Sequence, residues 1–286
     1  MTPTTPSKPN ADARSFANVK PTGADLNRAG SATPAAHVSI TTKDGVALTA
    51  AVRHHDDPSA AVVLVHGFTG SQDQPEVRRV AGALVEAGCS VITYDGRGHG
   101  TSGGLCTLGE WERLDVAAAV ELASAESPRV ILVGASMGGI AVLRCAADDP
   151  AVAGVVTVSC PAEWKIPRSL AGLLSVAVTQ TGIGRRLAAT RLRVRIAQHP
   201  LRGVPPVQLA DRLKCPLAVV HGRSDRFLST TQAQLLFAAT GGPRRLSLVP
   251  GMGHAFDAKG DRTIVAAVQW VLEQDRARSA ATAGAP

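Results

Sequence analysis

The stretch Arg129-Val130-Ile131-Leu132-Val133-Gly134-Ala135-Ser136-Met137-Gly138-Gly139-Ile140 decides the reading of this chain. Residues 129–133 end in an uninterrupted aliphatic run, which suits a strand buried on both faces. Residues 138–147 are rich in Ala, Val, Leu and Ile and read as a helix. Between them lies Gly-x-Ser-x-Gly. A serine at such a strand-to-helix corner sits on a tight turn, needs small neighbours so that strand and helix can approach, and projects its Oγ above the strand's carboxyl end. The motif alone is a weak signal, because an ordinary strand–helix turn can carry a serine by accident.

Outward from this corner the same alternation repeats. Residues 61–65, 90–94, 154–158, 217–220 and 245–249 are further short β-branched runs, and residues 75–87, 108–124, 230–239 and 262–274 are helix-like. Strand, helix and strand in regular succession imply right-handed crossovers and an open twisted sheet with helices on both faces. Ahead of it, 37–42 and 46–53 alternate in polarity around Lys43-Asp44-Gly45, a hairpin turn. The expectation is an α/β fold with eight mostly parallel strands. The rhythm breaks once, between residues 159 and 216, where a short helical cap is expected over 161–207. Core is expected over 37–160 and 208–276. Residues 1–36 lack a hydrophobic period and read as a disordered tail, and 277–286 read as a flexible C-terminus.

The partners of Ser136 decide its role. A serine alcohol is a poor nucleophile until a base takes its proton, and that base needs an orienting carboxylate. The seventh strand runs into His221-Gly222-Arg223-Ser224-Asp225, and the eighth into Pro250-Gly251-Met252-Gly253-His254. Asp225 and His254 therefore fall in loops at carboxyl ends of parallel strands, the edge where distant loops converge. Taken singly, Asp225 reads as a turn residue and His254 as a loop histidine; in the order Ser, Asp, His they read as a catalytic set. The third strand leads into His66-Gly67-Phe68-Thr69-Gly70. That loop can offer the backbone N–H of Phe68, beside that of Met137, as an oxyanion hole. His66 reads as structural, since His254 fills the role of base.

On these residues, together with Asp95-Gly96-Arg97-Gly98-His99-Gly100-Thr101-Ser102, the chain resembles the α/β-hydrolase superfamily. Within it the likeness is to serine hydrolases of the esterase, monoacylglycerol-lipase and lysophospholipase type, over roughly residues 37–276. The resemblance implies an acyl-enzyme mechanism on a small acyl ester, with no metal or organic cofactor. It also implies a structural role for residues 95–102. Some relatives place the acid after the sixth strand, where Glu163 stands, so Glu163 is a minor alternative to Asp225. Perhydrolases of the cofactor-free haloperoxidase type, thioesterases and acyltransferases use the same triad, and a non-catalytic binding protein is a further alternative. Serine at the corner, where haloalkane dehalogenases and epoxide hydrolases carry Asp, sets those two aside.

Composition narrows the classes. The net charge is +7, from 30 Lys and Arg against 23 Asp and Glu, and residues 161–207 hold eight of those bases against Glu163 alone. The rest of the chain is balanced, unlike a protein that coats nucleic acid over a broad face. The basic cap is then either a solvated surface or a steering patch for an anionic substrate or lipid surface, with Arg185, Arg186 and Arg193 as candidate contacts. Five scattered cysteines without metal spacing point to buried thiols in a reducing compartment, and no secretory signal or membrane-spanning run is apparent. The expectation is a cytoplasmic enzyme.

Overall fold

The continuous aliphatic runs become strands with no exposed residue. In β3 (Ala60–Val65), β4 (Cys89–Tyr94), β5 (Val130–Ala135), β6 (Gly154–Val158) and β7 (Leu217–Gly222) every position is buried. The two edge strands differ: β1 (Ala36–Thr41) and β8 (Arg244–Val249) keep only partly buried or exposed residues, as one wet side requires. With β2 (Ala47–Arg53) the strands form one sheet ordered β1-β2-β4-β3-β5-β6-β7-β8. The β1–β2 and β2–β4 pairs are antiparallel, and the rest are parallel. The computed structural model describes residues 35–149, 151–163, 177–198 and 203–283.

Side chains alternate across each strand, so each strand feeds two cores. Val63, Val65 and Leu132 pack with α2 (Glu112–Ser124), α3 (Met137–Asp148), α5 (Pro206–Arg212) and α6 (Thr230–Ala239). Their neighbours Val62, Leu64, Ile131 and Val133 pack on the other face against α1 (Pro75–Glu86) and α7 (Asp261–Ala283). This is the doubly covered sheet expected from the sequence.

Three boundaries depart from the sequence reading. Helix α2 begins at Glu112 and not at residue 108, because Leu108 and Gly109 take φ of 60° and 102°. The Glu112 carboxylate then accepts Thr107 N at 2.7 Å and Gly109 N at 2.8 Å. Helix α7 runs on to Ala283, through residues read as a flexible terminus. Those residues are mainly Ala and Arg, strong helix formers that carry no hydrophobic period. Among its described residues the cap is only partly helical. It contains α4 (Gly182–Leu187), a π-turn over Ala188–Leu192, and then an extended limb in which Val194 pairs with His99 and Ile196 with Cys106. Lys165, Arg168, Arg202, most of the apolar run 170–178 and nearly all of the 1–36 tail lie outside the described residues. Among the described residues no helix is long and apolar enough to cross a membrane.

Candidate active site

Ser136 stands between β5 and α3 with φ 52° and ψ −114°, a left-handed backbone that a non-glycine residue adopts only where its surroundings enforce it. Those surroundings are glycines used for close approach. A Cβ on Gly134 would lie 2.4 Å from Gly138 O, one on Gly138 2.5 Å from His66 O, and one on Gly139 2.7 Å from the Cys160 Cβ. The Ser136 N–H donates to Val158 O at 2.9 Å, stitching the corner to β6. Ser136 is half-buried while residues 130–135 and 137–146 are buried, so the corner is where this segment meets solvent.

At the carboxyl ends of β7 and β8 the structure brings Asp225 and His254 together. The Nδ1 of His254 lies 2.7 Å from Asp225 Oδ2, with the carboxylate fully buried and the imidazole partly exposed. Asp225 Oδ1 accepts the backbone N–H groups of Phe227 and Leu228 at 2.8 and 3.0 Å. Burial alone would raise this carboxyl. The His254 hydrogen bond and charge, with the two backbone donors, hold it below the usual carboxylate range. The two loops are also laced by backbone, with Arg223 N on Val249 O and Ser224 N on Met252 O. The backbone N–H groups of Ala162 and of Glu163, the alternative acid, meet Gln232 Oε1 of α6.

His221, whose role the sequence did not reveal, supports the acid loop. It is buried at the end of β7, where its Nε2 lies 3.1 Å from Leu228 O and 3.6 Å from Asp225 Oδ2. Burial pushes its imidazole below the usual histidine range, so the ring is neutral and can give its single N–H to the Leu228 carbonyl.

The loop after β3 lies against Ser136: a Cβ on Gly67 would be 3.4 Å from the Ser136 Cβ. His66 is its internal brace. The ring Nε2 accepts the Gly96 N–H at 3.0 Å, which leaves the proton on Nδ1 to donate to Gly67 O at 2.8 Å. Burial, with His99 beside it, pushes His66 down to about 3, so the ring is neutral throughout the working range. A trans peptide sets its N–H opposite its C=O. The Phe68 N–H therefore points away from His66.

A third apolar cluster joins this loop to the cap. Cys106, Met137, Ala188, Val194 and Ile196 are its buried members, with Phe68, Leu108 and Val178 packed beside them. The extended cap limb is sewn to the loop after β4: Arg195 N donates to Gly98 O, Cys106 N to Arg195 O and Ala197 N to Cys106 O, at 2.7–2.9 Å. The Arg195 guanidinium donates to Ser102 O. Gly98 has φ 75°, and a Cβ there would sit 2.4 Å from Arg195 O. Beneath the dock, buried Arg97 binds Asp44 at 2.9 and 3.0 Å and Asp115 at 2.8 Å. Residues 95–102 are thus the seat of the cap. The Gly-rich motif was visible in the sequence; its partner in the cap limb, where Arg195 meets Gly98 and Val194 meets His99, a short alternating segment among arginines, was not.

Of the candidate cap contacts, Arg185 is half-buried and donates to Thr179 O within the cap, while Arg186 and Arg193 are exposed. Among the described residues no group of three His, Cys, Asp or Glu could hold a metal ion.

Residues 56–190 match the family model described as serine aminopeptidase, S33. A putative carbamate hydrolase, RutD, of Variovorax paradoxus is 38% identical over 41% of this chain, a match that spans only 42% of that relative. A monoacylglycerol lipase of Mycolicibacterium smegmatis is 27% identical over 69% of this chain and 82% of its own length. The Pyrococcus furiosus esterase Pf2001 superposes with a TM-score of 0.66 at 21% identity, over 84% of this chain and 92% of the esterase. By its sheet order, its strand-to-helix corner at Ser136 and these likenesses, the chain has the α/β-hydrolase fold.

Proposed function

We propose that the chain is a serine hydrolase that cleaves carboxylic esters through an acyl-enzyme intermediate. The observation that carries this reading is the 2.7 Å pair of His254 and buried Asp225 on the sheet edge that also bears the strained Ser136 corner. In this reading His254 takes the Ser136 proton as Oγ attacks the ester carbonyl, then gives it to the leaving alcohol. Water, activated by the same imidazole, releases the acid. Asp225 holds Nδ1–H and stabilises the imidazolium, a role that suits a carboxyl kept ionised by its donors. The N–H groups of Phe68 and Met137 receive the developing oxyanion, each such donor contributing about 3 kcal/mol.

The apolar cluster of Phe68, Met137, Val194 and Ile196 supports an acyl chain on the cap side of the site, and a relative named as a monoacylglycerol lipase is in keeping with it. The test is labelling by a fluorophosphonate together with a panel of p-nitrophenyl esters, monoacylglycerol, an acyl thioester and an aminoacyl amide. Labelling at Ser136 with free acid as product is expected. Product that depends on an added acceptor alcohol or on peroxide would move the reading to acyl transfer or perhydrolysis. No labelling at Ser136 would overturn it.

An anionic lipid surface is the partner that the cap's chemistry supports. Ile183, Leu187 and Leu192 are 84%, 52% and 44% exposed. Ile183 and Leu187 share a helical face, and the i→i+5 π-turn carries that face on to Leu192. Arg185, Arg186, Arg191 and Arg193 stand among them, and residues 177–198 contain no acid. Apolar side chains set among arginines fit an interface of acyl chains and phosphates. Sedimentation with phosphatidylglycerol vesicles but not phosphatidylcholine vesicles, lost at high salt, is the expected result.

A further inference from the structure

Two histidines pin the two peptides that flank Phe68. His66 holds the first, through Gly67 O. His99 holds the second: its Nε2 lies 2.8 Å from Phe68 O, while Nδ1 faces Arg97 O at 3.0 Å. Each ring nitrogen faces a carbonyl oxygen, and the shorter contact is the one to Phe68. The two rings meet edge to face, 4.9 Å apart and 63° between planes, and the Phe68 ring stands perpendicular to His99 at 6.5 Å. The loop they brace runs Gly67-Phe68-Thr69-Gly70. With a glycine at each end it has little backbone restraint of its own.

His99 is also where the cap is attached. It is fully buried, and its backbone forms the bridge to Val194 of the cap limb. Its N–H donates to Gly96 O at 2.9 Å, its carbonyl accepts Ser102 N at 3.0 Å, and the preceding carbonyl, Gly98 O, accepts Arg195 N at 2.8 Å. Ring and backbone thus face opposite tasks. The backbone is set by the cap limb, and the ring sets the Phe68 carbonyl. An aliphatic residue would fill the same space and hold nothing.

We propose that His99 is a positioning residue through which the seated cap fixes the Phe68 carbonyl, and so the Phe68–Thr69 peptide next to the Gly67–Phe68 peptide whose N–H receives the oxyanion. This rests on the reading of Phe68 as an oxyanion donor. The hole is used in the transition state and not in the ground state, so losing the brace lowers kcat and leaves KM nearly alone. With the Phe68 carbonyl released, the short loop can shift at Phe68, and a displacement of the adjoining N–H donor by about 1 Å costs on the order of 100-fold.

The experiment compares wild type with His99→Phe, which keeps an aromatic ring without the N–H, and His99→Gln, whose amide N–H falls near the place of Nε2. Three quantities are read on p-nitrophenyl butyrate: kcat, KM, and Ki for butylboronic acid, which forms a tetrahedral adduct with the nucleophile. For His99→Phe, kcat is expected to fall about 30- to 100-fold and the boronate Ki to rise by a similar factor, with KM within about threefold. His99→Gln is expected to recover most of both losses. The cap's part is tested by Arg195→Pro, which removes the N–H that Gly98 O accepts; it should show the same split at about a tenth of the size. Unchanged kcat in His99→Phe overturns the proposal. So does a loss in which kcat, KM and Tm move together while the boronate Ki stays put, or a His99→Gln variant no better than His99→Phe. If His99→Phe does not fold, the Gln and Pro variants decide: wild-type kcat and Ki in Arg195→Pro overturn the link to the cap. Fluorophosphonate labelling of the wild type separates the two failures, since an unlabelled wild type sinks the serine-hydrolase reading itself.

Discussion

The strand β5 and the cap limb around Val194 and Ile196 are both short apolar stretches of extended chain that end near Ser136, and they are held in different ways. In β5 every residue is buried, two parallel neighbours supply a full ladder, and side chains enter cores on both faces. The cap limb has two isolated bridges, a cluster of five buried residues, and exposed Arg193 and Arg195 on either side of buried Val194. A strand with two cores has one energetically acceptable place. A limb with a few backbone bonds has a place only while its dock is intact. The difference implies a division of labour, with the sheet placing the reacting groups and the cap, through its dock, adjusting how well they act.

The largest effect that would break this division lies at the nucleophile. Ser136→Ala should lower ester turnover by about 10⁵-fold, and Asp225→Asn by about 10⁴-fold, with Tm changed little in the first. Steady-state kinetics with a burst-phase control measures both. If Asp225→Asn kept more than a tenth of wild-type activity, the acid would have to be sought elsewhere, and Glu163 would return.

Next in size is stability. Leu132 is fully buried in the middle of β5, and Leu132→Ala should cost about 2–5 kcal/mol through lost transfer energy and the cavity left behind. Ile183→Ser on the cap, an 84% exposed position, should stay within about 0.5 kcal/mol. Urea unfolding curves test the pair. Equal losses would mean that the cap is as integral to the fold as the sheet.

Legibility in the sequence followed the same divide. The eight strands, the Ser136 corner and the positions of Asp225 and His254 could all be read, because each depends on local signals: an aliphatic run, a Gly-rich corner, a strand end. Features that depend on a distant partner could not. Val194 and Ile196 become extended only against His99 and Cys106, so a basic stretch with a β-like alternation looked equally able to be helix. Leu108 and Gly109 leave the helical path because Glu112 captures their loop. The braces made by His66, His99 and His221 are contacts of ring nitrogens with carbonyls, and nothing in a histidine's neighbours along the chain announces them.

Acid titrates the same comparison. His66 is buried beneath the oxyanion loop with its pKa pushed down from 6.5 to about 3, and His221 is lowered as well. The unfolded chain binds protons on these rings below pH 6.5 while the folded chain does not. Stability is therefore complete above about pH 6.5 and falls as pH drops toward 3, by about 1.4 kcal/mol per unit for each fully linked ring. Urea midpoints at pH 7.5, 5.5 and 4.5 measure the slope, and His66→Gln should flatten it. A midpoint that does not move between pH 7.5 and 4.5 would show that these rings are not held neutral.

The smallest effect belongs to the cap's outer side. Arg185 and Arg186 stand beside Ile183 and Leu187 on α4. Replacing both with Gln removes two charges from the face proposed to meet a phosphate surface, where each would be worth about 1 kcal/mol at low salt. The ratio of vesicle binding on phosphatidylglycerol to that on phosphatidylcholine should then fall by about 10- to 30-fold at low salt, and the gap between variant and wild type should close by about 0.5 M salt as screening shortens. Tm should not follow, because neither arginine belongs to the two cores that flank the sheet. A double variant that binds anionic vesicles as wild type does would leave the arginines as a solvated surface, and the cap would then act on the site solely through its dock at Gly98 and His99.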